Sequence, residues 1–364
     1  MENFIVSARK YRPTTFSTVI GQETITQTLK NSISTGHLGQ AYLFCGPRGV
    51  GKTTCARIFA KTINCQNLSA DVEACNECES CKSFNNSTSF NIFELDAASN
   101  NSVDDIRQLI DQVRIPPQVG KYSVYIIDEV HMLSQQAFNA FLKTLEEPPR
   151  HAIFILATTE KHKIIPTIIS RCQIFDFNRI KIDDIVRQLT NVAQKEGITI
   201  EPEAANVIAT KASGGLRDAL SIFDQIVSFS GKNVTYQSTI DNLNVLDYEY
   251  FFTMTNYFLA GDYSSALITF DEILNKGFDD RNFLLGLCSH FRDLLVSKDP
   301  RTLKLLEVSD KTKQHYMEQS AKCSPDFLFS ALDISQQFDE KYKESNNKRL
   351  HIELAMLQLC NIVK

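Results

Sequence analysis

Short runs of consecutive apolar residues recur through the first half of the chain and alternate with segments of helical periodicity. The runs extend over Ala41 to Cys45, Phe90 to Asp96, Tyr122 to Asp128, Ala152 to Thr158 and Gln173 to Phe177. Near-continuous apolar strands indicate burial on both faces, as in parallel sheets covered by crossover helices. The pattern therefore predicts an α/β domain with a five-stranded parallel sheet over residues 1–178.

Beyond Asn178 the strand-like runs stop and only helical periodicity continues. Three helical segments follow over 181–196, 202–212 and 216–229, and a longer helical series begins near Leu243. Apolar residues three or four apart are typical of helices that pack against one another. We predict a small helical lid over residues 179–242 and an all-α C-terminal domain over residues 243–364.

The composition is that of an ordinary globular protein without a surplus of positive charge. The 364 residues are 43% hydrophobic and 22% charged, and the formal net charge is −5. Because nucleic-acid-binding domains are usually basic, any DNA contact is expected to come from a local patch or from partner subunits. No apolar run reaches the length of a membrane span, and the N-terminus lacks the layout of a signal peptide. We therefore expect a cytoplasmic protein that does not contact membranes.

A glycine-rich motif follows the first predicted strand and precedes a predicted helix, in the pattern G-x-x-x-x-G-K-[ST]. In such phosphate loops, backbone N–H groups and the helix N-terminus surround the phosphates of a nucleotide. The lysine reaches the β- and γ-phosphates, and the hydroxyl binds Mg²⁺. The alternative is a chance turn. The predicted ATP-binding residues are Gly46, Pro47, Arg48, Gly49, Val50, Gly51, Lys52, Thr53 and Thr54.

Two adjacent carboxylates, Asp128 and Glu129, come at the end of the third predicted strand. Ligands of open α/β sheets bind at the carboxyl ends of the strands. We expect Asp128 to hold Mg²⁺ together with Thr53, and Glu129 to polarise the attacking water. An acidic turn at a strand end is the alternative.

Three further polar residues are candidate phosphate contacts. Thr158 ends the fourth strand, where its hydroxyl can reach a γ-phosphate, although threonine also favours strands for conformational reasons. Arg171 precedes the fifth strand and is either an arginine finger for a neighbouring subunit or one half of a surface salt bridge. Arg217 opens the third lid helix, where a cation opposes the helix dipole, so a phosphate is a reasonable partner for it.

Four cysteines lie within a short, mostly polar stretch, at Cys65, Cys75, Cys78 and Cys81. Thiolates at close spacing are typical of structural Zn²⁺ sites. A C-x₂-C-x₂-C run also occurs around iron–sulfur clusters, which is the alternative. Because a reducing cytoplasm disfavours disulfides, we predict a structural zinc insert over residues 65–81.

A possible DNA contact is the helix start near Asn100, Asn101 and Ser102, since helix N-termini bind phosphates. Ser102 with Asp105 also matches a variant of the capping box. We favour a plain helix cap at this position.

Several stretches together resemble the gamma/tau family of bacterial DNA polymerase III clamp-loader subunits. They are Ala8-Arg9-Lys10-Tyr11-Arg12-Pro13, Val19-Ile20-Gly21-Gln22, Asp128 to Leu133, Phe138 to Pro149, Ala157 to Glu160, Ser170-Arg171-Cys172 and the four-cysteine insert. The resemblance covers the whole chain and is most specific over residues 8–220.

This resemblance implies an AAA+ ATPase that acts as a motor subunit of the clamp loader and has no polymerase site of its own. It implies that Arg171 is a finger acting in trans, that Thr158 is the first sensor and that Arg217 is the second. The C-terminal helices would form an oligomerisation collar. The residues expected on the adenine and ribose side are Ala8, Arg12, Val19 and Ile20.

The resemblance also implies partners. They are further copies of the chain with delta and delta-prime subunits in a pentamer, the sliding clamp, and primer-template DNA bound through sequence-independent phosphate contacts at replication forks. Helicase contacts, which the family makes through a long extension, are not expected of these residues. The alternatives are a different AAA+ enzyme, such as a branch-migration motor, and a non-hydrolysing scaffold of the delta-prime kind.

Overall fold

The computed structural model describes residues 5–117, 120–306 and 308–363. These residues form two compact units. The first unit contains the described residues up to Glu196 together with Ala209–Gln225. The second contains Gly197–Ile208 and the described residues from Ile226 onward. The division into an α/β domain, a lid and a collar at residues 178 and 242 stays a prediction.

The strands and helices follow in chain order. The strands are β1 (Ala41–Cys45), β2 (Ile92–Asp96), β3 (Ser123–Asp128), β4 (Ala152–Thr158), β5 (Gln173–Asp176), β6 (Thr199–Ile200) and β7 (Asn233–Val234). The helices are α1 (Ser7–Lys10), α2 (Glu23–Ser34), α3 (Lys52–Ile63), α4 (Glu79–Asn85), α5 (Val103–Val113), α6 (Gln135–Glu146), α7 (Pro166–Ile169), α8 (Ile182–Glu196), α9 (Pro202–Lys211), α10 (Leu216–Ser230), α11 (Tyr236–Leu243), α12 (Tyr248–Ala260), α13 (Tyr263–Asn275), α14 (Asp280–Val296), α15 (Asp310–Lys322), α16 (Pro325–Tyr342) and α17 (Lys348–Asn361). Short 3₁₀ helices lie at Phe16–Thr18, Val130–Met132, Lys161–Lys163 and Leu303–Leu305. Of the helices in the described ranges, none is both long enough and apolar enough to span a membrane.

The first unit is built on a parallel sheet. In the described part of the chain this sheet has five strands in the order β2-β3-β4-β1-β5. Asp96 pairs with Asp128, and Cys45 pairs with both Thr158 and Asp176. With Ile127 paired to Leu156, the carboxyl ends of the strands lie within one residue of one another along one edge. The predicted five-stranded parallel sheet is confirmed, and β4 lies beside the strand that carries Asp128.

Both faces of this sheet are covered by helices. Tyr42 and Phe44 of β1 join a core cluster with Phe59 of α3 on one face. On the other face Leu43 belongs to a cluster that contains Phe141 of α6. Burying one large apolar side chain contributes about 1.5–3 kcal/mol. Burial on both faces explains why the strands are continuous apolar runs without alternation.

The helix after β2 begins with a complete cap. The Ser102 hydroxyl accepts the N–H of Asp105 at 3.2 Å, and the Asp105 carboxylate accepts the N–H of Ser102 at 3.1 Å. This reciprocal pair satisfies two N–H groups that the first turn of α5 leaves free. The expectation of a helix cap at this position is confirmed.

The second unit has a helical core, as the periodicity after Leu243 predicts. Phe258, Phe270 and Phe283 are fully buried within it. His290 is also buried, and its two ring nitrogens lie 3.1 Å from Tyr316 Oη and 3.0 Å from Gln319 Oε1. Burial lowers the pKa of His290 to about 3, so the imidazole is neutral within the core at neutral pH.

Helix α15 is not predicted by the hydrophobic pattern. Its sequence is mostly polar, and the buried residues that it contributes include Tyr316 and the polar Gln319 and Ser320. Gln319 Nε2 donates to the Phe252 carbonyl at 2.7 Å, and Ser320 Oγ donates to the Leu294 carbonyl at 2.8 Å. This helix therefore packs through polar contacts, which a search for apolar periodicity does not detect.

Gly286 provides a test of the helical core. A Cβ atom at this position of α14 would lie 2.3 Å from Cζ of the buried Phe251 ring. Overpacking costs about 1–3 kcal/mol, and alanine recovers up to about 1 kcal/mol through its helix propensity. We expect Gly286→Ala to lower the free energy of unfolding by about 1 kcal/mol, measured by urea denaturation with circular dichroism. Ser289→Ala, at an exposed position of the same helix, should be neutral or stabilising. Equal urea midpoints for the two variants would contradict the expectation.

Candidate functional site

The phosphate loop joins β1 to α3 at the carboxyl edge of the sheet. Gly46, Gly49 and Gly51 have φ angles of 146°, 76° and 104°, a region that strains residues with a side chain. A Cβ atom at Gly46 would also lie 2.4 Å from the carbonyl oxygen of Phe177. Helix α3 begins at Lys52, directly after the loop, so its free N–H groups and its partial positive charge lie at this edge.

Lys52 is buried beside the loop. Its Nζ donates to the carbonyl oxygens of Gly46 at 2.8 Å and Pro47 at 2.7 Å. Burial lowers the pKa of Lys52, while the carboxylates of Glu129 and Asp128 raise it. The ammonium group therefore contacts the loop and is influenced electrostatically by the two carboxylates.

The two carboxylates lie where β3 ends. Thr53 Oγ1 donates to Asp128 Oδ2 at 2.7 Å, so the predicted Mg²⁺ ligands are in direct contact. Glu129 has a φ of 48°, a conformation that is strained for a side chain of this size and that clusters at functional sites. Its Oε2 accepts the backbone N–H of Thr159 at 3.2 Å and the Thr159 hydroxyl at 3.0 Å.

Thr158, at the end of β4, is fully buried. Its Oγ1 accepts the N–H of Glu160 at 3.0 Å and lies 3.0 Å from Nδ1 of His131. Nε2 of His131 lies 3.1 Å from the Glu160 carboxylate. Sequence reasoning singled out Thr158 but not His131, which connects it to the turn after β3.

A cavity of about 750 Å³ lies beside the phosphate loop within the first unit. It brings together most of the predicted nucleotide-binding residues, whereas Gly46, Pro47, Thr158 and Arg171 are not in its lining. The predicted residues that line it are Ala8, Arg12, Val19, Ile20, Arg48, Gly49, Val50, Gly51, Lys52, Thr53, Thr54, Asp128, Glu129 and Arg217.

Two further carboxylates line the cavity and were missed by sequence reasoning. They are Glu94 and Asp96, both on β2. Asp96 ends a strand level with Asp128, so the strand-end rule that identified Asp128 would also have found it. Glu94 forms an ion pair with Arg57, which no local pattern indicates.

Arg12 and Arg217, like Arg48, lie on the cavity wall. Arg12 Nε donates to Thr54 Oγ1 at 3.1 Å, and burial, followed by the nearby Arg57, lowers the pKa of Arg12. Arg217 lies in the first turn of α10, and its backbone N–H donates to the Gly49 carbonyl at 3.4 Å. The start of α10 thus contacts the phosphate loop directly.

Arg171 lies just after α7, away from the cavity. Its guanidinium donates to Glu146 Oε1 at 2.7 Å and to the Thr167 carbonyl at 2.7 Å, and its side chain is 34% exposed. Within the single chain, Arg171 thus forms a salt bridge with Glu146, which is the alternative that the sequence left open. A finger acting on a neighbour's nucleotide stays a prediction.

The four predicted cysteines form one cluster. Their sulfur atoms all lie within 4.8 Å of one another, and those of Cys65 and Cys75 are 3.6 Å apart. Cys78 precedes α4, and Cys81 is buried in its first turn. Cys75 Sγ accepts the N–H of Cys78 at 3.3 Å. This bond, with a second from the N–H of Glu77, lowers the pKa of Cys75 to about 6.

This donor set fits a zinc ion. Four sulfurs at about 2.3 Å from a tetrahedral zinc lie about 3.8 Å from one another, so the cluster needs only a small contraction to reach that geometry. Backbone N–H bonds to sulfur favour the thiolate, which is the form that binds a metal. All four positions can be occupied by sulfur, as in a structural site.

Relatives with similar sequences are DNA polymerase III subunits. The chain is 36% identical to DNA polymerase III subunit gamma of Buchnera aphidicola subsp. Schizaphis graminum, over 100% of this chain and 99% of the relative. It is 42% identical to DNA polymerase III subunit tau of Bacillus subtilis, over 97% of this chain. It is 37% identical to subunit gamma/tau of Mycoplasma genitalium, over 98% of this chain. The chain spans 62% and 64% of the lengths of the last two relatives.

Solved structures that resemble this chain are more distant in sequence. The RuvB Holliday junction branch migration motor of Thermotoga maritima is 19% identical, with a TM-score of 0.48 over 68% of this chain and 78% of that chain. The DNA clamp loader delta protein of Bacillus subtilis is 17% identical, with a TM-score of 0.39 over 92% of this chain and 99% of that chain. Neither similarity is high enough to bear on function.

Two family models match successive parts of the chain. A model described as DNA polymerase III, delta subunit, matches residues 21–181. A model described as DNA polymerase III clamp loader subunit, ATPase lid domain, matches residues 184–232, which lie within the segment 179–242. Together with the relative that matches over nearly its full length, these findings place the chain in the gamma/tau family of DNA polymerase III clamp-loader subunits.

Proposed function

We propose that this chain binds and hydrolyses ATP as a motor subunit of a DNA polymerase III clamp loader. The observation that carries the proposal is the contact of Thr53 with Asp128 at 2.7 Å, beside Lys52 and Glu129, in a chain of the gamma/tau family. A non-hydrolysing scaffold has no need of this arrangement. The subunit would help to open the sliding clamp and load it onto primed DNA, and the polymerase reaction would belong to other subunits of the holoenzyme.

Each residue of the edge has a distinct role in this proposal. The N–H groups of the phosphate loop and the ammonium of Lys52 bind the phosphates. Thr53 and Asp128 would hold Mg²⁺, which would neutralise negative charge on the phosphates when bound. Glu129 orients the attacking water, and its present hydrogen bonds to Thr159 have to be exchanged for one to that water.

Further residues beside the carboxyl edge of the sheet are proposed to contact the γ-phosphate, the adenine and the ribose. Thr158 acts as the first sensor near the γ-phosphate, and Arg217 contacts the phosphates from the start of α10. The adenine and ribose lie against the apolar and basic wall. This wall is formed by Ala8, Arg12, Val19 and Ile20.

The partners are proposed from the family. Copies of this chain would assemble with delta and delta-prime subunits in a pentamer through the helices after residue 243, in the cytoplasm at replication forks. ATP in one copy would be bridged by Arg171 of the next, which favours a spiral that binds an open clamp and primer-template DNA. DNA contacts would be to phosphates and independent of sequence. Hydrolysis removes the bridge and so shifts the population toward clamp release.

The role of Glu129 is tested by Glu129→Gln. The amide keeps the size of the side chain but cannot act as a base, so we expect turnover to fall by at least about 10²-fold while ATP affinity is retained. The assay is phosphate release by the complex assembled with its partner subunits, with and without clamp and primed DNA. Glu318→Gln, at an exposed position of α15, is the control. Equal turnover of both variants would favour the scaffold function.

The finger is tested by Arg171→Ala. A finger contributes about 10³-fold or more to turnover, so the stimulation by clamp and primed DNA should disappear while nucleotide binding to the isolated chain is unchanged. Arg150→Ala, which removes an exposed arginine, should have no effect. A pentamer that mixes Arg171→Ala and Glu129→Gln chains should regain part of the turnover, since some intact sites then face an intact finger. Mixing without recovery would exclude a role in trans.

The metal site is tested by elemental analysis of the purified chain. We expect about one zinc per chain, lost in Cys75→Ser and retained in Cys288→Ser, which replaces a cysteine outside the cluster. Removal of the metal should lower the melting temperature, because four thiolates without a metal lose the free energy of coordination. Iron together with visible absorption would instead indicate an iron–sulfur cluster.

A further inference from the structure

A carboxylate of the cysteine insert binds the backbone of the N-terminal segment. Glu73 lies two residues before Cys75. Its two carboxylate oxygens accept the N–H of Phe16 at 2.8 Å and the N–H of Ser17 at 2.9 Å. Lys30 lies 2.8 Å from the same carboxylate, and the Lys30 and Glu73 side chains are only 17% and 12% exposed. Hydrogen bonds to a charged acceptor that is shielded from water are the strong kind.

A second contact joins the insert to the same segment. Lys61, on the helix that follows the phosphate loop, is 3% exposed. Its Nζ donates to the Thr14 carbonyl at 3.0 Å and to Asn76 Oδ1 at 2.6 Å. Asn76 directly follows Cys75, and Glu73 lies two residues before it. Glu73 therefore contacts the segment 14–17 directly, and Asn76 is connected to it through Lys61.

The segment held in this way connects two parts of the cavity wall. Arg12 and Pro13 precede it and Val19 and Ile20 follow it, and all four line the cavity. The segment lies outside the sheet, in a short 3₁₀ helix at Phe16–Thr18, so strand pairing does not fix it. Beyond the packing of Phe16, its position depends on the contacts of Glu73 and Lys61.

The insert itself has little apolar support. The buried core of residues 65–81 is a small cluster of Ala74, Cys78 and Cys81. A segment of this kind gains its order from the metal that its thiolates bind. The position of Glu73 is therefore expected to depend on the occupancy of the cysteine cluster.

We propose that Glu73 is a positioning residue through which the metal-binding insert fixes the adenine side of the nucleotide site. Metal binding and nucleotide binding are then coupled, and the coupling is the same in both directions, as linkage requires. The inference rests on the proposed nucleotide binding. It assigns to the insert a role inside the subunit rather than a surface role.

The experiment measures the Kd of a fluorescent ATP analogue for the zinc-loaded chain. We expect Glu73→Ala to weaken binding about fivefold to tenfold, which is about 1.0–1.4 kcal/mol. Glu73→Gln retains an acceptor oxygen and should fall between this variant and the wild type. Glu77→Ala, which removes an exposed carboxylate of the same insert, should bind as the wild type does.

Metal removal supplies the coupling measurement. Chelation should weaken nucleotide binding to the wild type by a similar factor and have little further effect on Glu73→Ala. Conversely, nucleotide should slow the release of zinc to a chromogenic chelator from the wild type but not from Glu73→Ala. A purely structural role of Glu73 would lower the melting temperature without changing either coupling.

The outcomes separate this inference from the proposed function. Wild-type chain that binds nucleotide no better than Lys52→Ala would overturn the proposed function. Wild-type chain that binds tightly while Glu73→Ala and Glu73→Gln bind equally well would overturn the role of Glu73 alone. If Glu73→Ala does not fold, Glu73→Gln and the zinc-release assay on the wild type decide the question.

Discussion

Parallel pairing of β4 with both β3 and β1 is the constraint on which the phosphate side of the site depends. It pairs Cys45 with Thr158 and Ile127 with Leu156, which places Asp128 within one residue of their level, so that the loop after β1 meets the carboxylates after β3. The hydrogen bond from Thr53 to Asp128 closes this arrangement across 75 residues of chain. Because the strands are buried on both faces, the edge cannot shift without opening two cores.

The parts of the site that sequence predicted are those encoded locally. The phosphate loop needs glycines at positive φ, and the chain has Gly46, Gly49 and Gly51 at those positions. Asp128 could be placed because it directly follows an apolar run, and strands of a parallel sheet end along one edge. The cysteine cluster was equally accessible, since three of its four members are three residues apart.

The missed parts are polar contacts between residues far apart in sequence. Glu73 binds the backbone of Phe16 across 57 residues, and His131 contacts Thr158 across 27. Such pairs leave no period in the sequence, and a carboxylate in a polar insert looks like any solvated residue. Helix α15 was missed for the same reason, because its packing depends on Gln319 and Ser320 rather than on an apolar stripe.

The two sides of the cavity thus owe their rigidity to different forces. The phosphate side belongs to a sheet edge whose position is determined by apolar burial and strand pairing. The side proposed for the adenine depends on the segment 14–18, which lies outside the sheet. Besides the buried ring of Phe16, this segment is held by a shielded carboxylate and a buried lysine. Removing a partner from a buried charge-assisted hydrogen bond leaves a polar group without compensation, so this side responds to single substitutions that the sheet would absorb. In the proposed site, an insert that does not contact the nucleotide would therefore influence how the base is held.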